Sequence, residues 1–124
     1  DTLFTAELPM FVDGNVYLNG SKPFEGEQNF LEQTQTNPMF KCVEEGDNVY
    51  LHMTLPPIKG KVKTRLATTE SLGKPLVPSL PYENADGAPL KVDTDYFGKK
   101  RDRERPTPGP FANPGEGEVV LKLW

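Results

Sequence analysis

The amino-acid sequence predicts an all-β chain, a small antiparallel β-sandwich with a long Pro/Gly-rich loop region. Three observations predict it. Apolar and polar residues alternate in several short runs, the period of a half-buried strand. The turn signals Asp13-Gly14 and Asn19-Gly20 punctuate those runs. The 124 residues include 13 prolines and 11 glycines, and they interrupt every candidate helical stripe of eleven residues or more.

Taken in order, residues 3–8 (LFTAEL) read as a first strand, ended by Pro9, and residues 10–12 as a short apolar piece. Residues 15–19 (NVYLN) form a strand between two turns. Residues 21–38 are polar and read as a loop, with one helical turn over 29–33. Residues 39–55 form a hairpin through Glu45-Gly46-Asp47-Asn48. In its return strand Val49, Leu51, Met53 and Leu55 face one way, and Tyr50, His52 and Thr54 the other. Pro56-Pro57 breaks the run, and residues 61–69 (KVKTRLATT) alternate as a further strand with Val62, Thr64 and Leu66 inward. Residues 71–81 are extended and edge-like, residues 84–87 (NADG) a turn, and residues 90–92 a two- or three-residue strand. Residues 118–124 (EVVLKLW) close the fold, with Val119, Leu121 and Leu123 on one face. Residues 1–124 thus read as a single β-sandwich module with a long ordered loop over about 73–116.

Composition bounds the function. The hydrophobic share of 35% implies a small core. A net charge of −4 argues against non-specific nucleic-acid binding, which needs a basic face to displace counterions. No run of 18 apolar residues exists to span a membrane. The single cysteine excludes an internal disulfide. The start at Asp1, with no leader pattern, reads as a processed or excised piece.

The functional candidates gather in residues 80–111, a stretch too polar and too broken for core. Asp93 and Asp95, with Glu83, Asn84 and Asp86 nearby, offer oxygen ligands of the kind calcium takes, which leaves calcium as the one open cofactor. The favoured reading is that these acids cap turns and pair with Lys99, Lys100 and Arg101. As a glycosidase pair, two acids two residues apart on a loop carry no specific signal. Lys99, Lys100, Arg101, Arg103 and Arg105 suit an acidic partner such as uronate or sulfate. The interleaved Asp102 and Glu104 favour a solvated mixed-charge loop instead.

Tyr50, Tyr82, Tyr96 and Trp124 are candidate platforms for the apolar face of a sugar ring, with Asp93, Asp95 and Arg101 placed for its hydroxyls. The alternative is that rings pin the loop to the sheet, the favoured reading for Phe97 and Phe111. His52 reads as a cross-strand packing residue and Cys42 as a buried, inert thiol. No metal-ligand spacing, nucleophile elbow or phosphate-cradling loop is present. No catalytic residue and no metal ligand is therefore assigned, and the chain reads more as a binding module than as an enzyme.

Several stretches carry a resemblance: residues 15–23 (NVYLNGSKP), 68–73 (TTESLG), 80–84 (LPYEN), 93–101 (DTDYFGKKR) and 108–111 (PGPF). Together they resemble the C-terminal region of secreted bacterial right-handed parallel β-helix proteins associated with polysaccharide degradation. In that region a D-x-D-x-x-G-x-x-R segment precedes a Gly-Pro-aromatic step. The resemblance implies a secreted, periplasmic or cell-surface protein whose partners are polysaccharide and an attached or associated catalytic domain. It carries over no catalytic residue, because those sit on helix coils that this chain lacks. The expected function is a non-catalytic carbohydrate-binding or accessory module. The alternatives are a structural or interaction domain packed on a neighbouring β-helix or partner chain, and part of an active site completed by another chain.

Overall fold

The computed structural model describes residues 11–124, so the strand expected over residues 3–8 lies outside the described residues. The described chain is nearly all β, with one single-turn helix. Strand β1 (Asn15–Leu18) pairs in parallel with β2 (Phe30–Gln33). Strands β3 (Lys41–Glu45), β4 (Asn48–Leu55) and β5 (Gly117–Lys122) form an antiparallel sheet in the order β3-β4-β5. The antiparallel expectation therefore holds for the larger sheet, while the smaller pair runs parallel.

The hairpin β3–β4 is the unit predicted. Glu45 pairs with Asn48, leaving Gly46 and Asp47 as a two-residue loop, and Gly46 takes φ +61°, which glycine adopts without steric cost. Val49, Leu51, Met53 and Leu55 do share the inner face. Met53 meets Val119 of β5 and Phe111 in the buried cluster, with Leu51, Leu55, Leu121 and Leu123 packed around it. Phe111 comes from the long loop, so the loop supplies the cover of the sheet. Its ring reaches over β4 and β5 but leaves β3 bare. Cys42 is accordingly exposed rather than buried: it pairs with Leu51 and so lies on the inner face, at an edge that Phe111 does not reach.

Three other expectations change. The helical turn expected over 29–33 is strand β2. Its register beside β1 is held by Glu27, whose carboxylate accepts from the Asn15 amide and side chain and from the Tyr17 hydroxyl. The strand expected over 61–69 does not form a ladder. Its backbone groups go instead to side chains and turns: Asn29 receives the Lys63 amide and donates to the Lys63 carbonyl. Only Thr68 bridges to Lys91, which is what remains of the short strand expected over 90–92. Helix α1 (Thr69–Leu72) follows, started by a reciprocal cap in which the Thr68 side chain accepts from the Ser71 amide and Ser71 Oγ accepts from the Thr68 amide.

Gly14 joins the two halves. It takes φ +73°, and a Cβ there would stand 3.0 Å from Thr64 Cα, so the close approach of residues 61–65 to β1 needs glycine.

Candidate functional site

The long loop is ordered by two charged side chains turned onto its own backbone. Asp95 accepts from the amides of Phe97, Lys99 and Ala112. The Ala112 amide foremost, then those of Lys99 and Phe97, hold its carboxyl below the ordinary carboxylate range. Arg101 donates to the carbonyls of Thr94, Thr107 and Gly109. Asp93 takes Lys100 on both oxygens at 2.9 Å, and Lys100 chiefly depresses its pKa. Asp86 receives the Ala88 amide, and Asn84 donates to the Pro89 carbonyl. The turn-capping reading of these residues describes this geometry. Among the described residues no group of three or more His, Cys, Asp or Glu gathers in metal-binding geometry.

With its polar groups engaged in this way, the loop presents rings. Phe97 stacks on Phe111 at 5.5 Å, and Tyr96 meets both edge-on, at 5.1 and 5.9 Å. Phe111 is buried as anticipated, whereas Phe97 is exposed. Tyr96 remains 53% exposed and Trp124 63%.

The two are joined through the end of β5. Leu123 donates to the Val49 carbonyl, while the Val49 amide donates to Trp124, so two residues oppose one in a bulge-like arrangement. The Leu123 carbonyl is thereby left to accept the Tyr96 hydroxyl at 3.1 Å. Tyr50 follows Val49 on β4, opposite Lys122. Tyr96 and Trp124 are thus brought to one end of the sheet, with Asp93, Asp95 and Arg101 behind Tyr96 as its framework, while Tyr50 faces the other side of β4. Tyr82 stands apart, its carbonyl accepting from the Thr69 hydroxyl.

His52 sits in the row Lys41–His52–Val120, a cross-strand position. A groove of about 320 Å³ runs between β1 and β4, lined by Val16, Leu18, Leu51, Met53 and Phe111 among others. Among the described residues no helix is long and apolar enough to cross a membrane.

The sequence offered no sign of two features here. The bulge at Leu123 is a matter of hydrogen-bond register. Glu27, buried at 7% exposure and with no salt bridge among the described residues, lies in a stretch whose polarity suggested only loop.

No known family model and no curated protein matches the chain. A solved structure does: XylC in complex with xylose resembles it with a TM-score of 0.83 and 32% sequence identity, over 92% of this chain. The chain spans 18% of that protein's length.

Proposed function

We propose that this chain is a non-catalytic carbohydrate-binding or accessory module of a longer polysaccharide-degrading protein, and that it takes a xylose-type sugar on the aromatic edge formed by Tyr96 and Trp124. The observation that carries this reading is the 32% identity to about a fifth of a protein solved with xylose. Asp93, Asp95 and Arg101 hold Tyr96 in place, whereas Tyr50, on the other face of β4, and Tyr82, which stands apart, lie outside this edge. A right-handed β-helix catalytic domain is the attached partner in this proposal. Export to the periplasm, cell surface or medium belongs to it too, because polysaccharides lie outside the cell.

Affinity electrophoresis through xylan tests the reading. The full chain is retarded, Trp124→Ala and Tyr96→Ala lose the retardation, and Tyr96→Phe keeps most of it because the ring remains. Unchanged mobility of the wild type in xylan counts against the module. Retardation that survives both alanine substitutions counts against this edge.

A second reading, an interaction domain packed on a neighbour, is favoured by surface area. A compact monomer of this mass exposes about 6,600 Å², whereas this chain exposes 8887 Å². Val77 is 86% exposed, with Leu76 and Leu80 close by in sequence and also exposed. Apolar surface of this kind marks a contact. The two readings are compatible if the sugar edge and the packing face differ.

A further inference from the structure

Two basic segments far apart in the chain meet in one cleft. Residues 59–65 read KGKVKTR and residues 101–105 read RDRER. Lys61 and Lys63 from the first, and Glu104, Arg105 and Pro106 from the second, line a cleft of about 440 Å³ together with Asn29. That volume lies in the range of small-ligand sites.

Its walls are anchored. The Asn29 side chain holds the Lys63 backbone at both its amide and its carbonyl, and Thr64 Oγ1 donates to the Gly14 carbonyl. On the other wall Asp102 Oδ1 accepts the amides of Glu104 and Arg105, and Pro106 is buried.

The charges are not spent in the same way. Lys22, Arg65, Lys91 and Lys100 have carboxylate partners. Lys61, Lys63 and Arg105 form no salt bridge among the described residues. Glu104 is the acid on the lining, so the cleft carries a positive excess although the chain as a whole is acidic. Asp102 stands just outside, held by the Glu104 and Arg105 amides, and its charge acts on Arg105 and Lys59, so it offsets part of that excess and leaves the two lysines and Arg105 against two acids. An arginine beside two lysines suits a planar carboxylate, gripped by the guanidinium and steadied by ammonium charges.

We propose that this cleft is a subsite for the carboxylate of a uronic acid residue in the bound polysaccharide. The proposal rests on the carbohydrate reading above and adds a second, charge-selective contact to the aromatic edge.

The test is calorimetric titration of the full chain with a neutral xylo-oligosaccharide and with the same oligosaccharide bearing a glucuronate branch. The acidic ligand is expected to bind at least about tenfold more tightly at low salt, with the advantage shrinking as salt rises. Lys63→Gln with Arg105→Gln removes that advantage and leaves neutral binding unchanged. Lys41→Gln with Lys74→Gln, both off the cleft's lining, leaves it intact. Equal affinity for the two ligands overturns the subsite while sparing the aromatic edge. An advantage that survives the Lys63/Arg105 change, or is lost with the Lys41/Lys74 change, also overturns it. Binding of the acidic ligand alone supports the cleft and removes the neutral-sugar reading, and binding of neither overturns both.

Discussion

Glu27 and Tyr17 show how single side chains set the limits of this fold. Burial raises the Glu27 pKa, but the hydrogen bonds from Tyr17 and Asn15 outweigh it and hold the carboxyl below its ordinary value. Tyr17, hydrogen-bonded to that carboxylate, is pushed above its own ordinary value. Asp93, Asp95 and Asp102 are lowered as well, by Lys100, by the Ala112 amide and by the Arg105 amide foremost. A carboxylate with a depressed folded pKa stabilises the fold above its unfolded pKa of about 4, and that contribution is lost as pH falls through the folded value. The raised Tyr17 acts in the opposite sense: its contribution is complete below about pH 10 and is lost as pH rises through its folded pKa. Thermal melts followed by circular dichroism should therefore show Tm falling at both extremes. Tyr17→Phe should lower Tm at neutral pH and make the acid limb shallower, because Glu27 loses a donor and its folded pKa moves back toward the unfolded value, and it should remove this residue's part of the alkaline limb. An acid limb identical to the wild type contradicts this account of Glu27.

Among the elements, the sheet depends on a ring that arrives from outside it. Phe111 covers Met53 and Val119, so Phe111→Ala should cost about 3–5 kcal/mol in urea denaturation. Val120→Ala, on the open face of β5, should stay within about 0.5 kcal/mol. Comparable losses at the two positions would contradict the assignment of the core. The hairpin and β5 were legible in the sequence because their period-two pattern is long enough to show which face is buried. Strand β2 was not, since four residues show no period and its pairing depends on Glu27 reaching back to β1. Residues 61–69 alternate just as well as β5, yet among the described residues only the single Thr68–Lys91 bridge forms alongside them. The Asn29 side chain satisfies the Lys63 backbone, a contact that no local pattern announces. The residues of the aromatic edge were legible one by one, but their convergence was not. It depends on Asp95 and Arg101 folding the loop back, and on the bulge that leaves the Leu123 carbonyl for Tyr96.

The molecule as a whole exposes more surface than its mass requires, and its buried apolar cluster is centred on Met53, Phe111 and Val119. Such a chain gains stability from whatever covers it, which agrees with its matching 18% of a longer protein. If the chain is part of a longer polypeptide, as proposed, the amides of Leu76, Val77, Ser79 and Leu80 should exchange with deuterium more slowly there than in the 124-residue chain alone. Equal exchange in the two would count against a packing face there. The claim that matters most is that sugar binds at the aromatic edge, and Trp124 is the sole tryptophan in the sequence, so its fluorescence reports on that edge directly. Titration of the full chain with xylo-oligosaccharides should give a saturable change in Trp124 emission that Tyr96→Ala weakens or abolishes. Binding detected by calorimetry with no change in that emission would contradict this placement of the site, and no binding by either method would contradict the carbohydrate function itself.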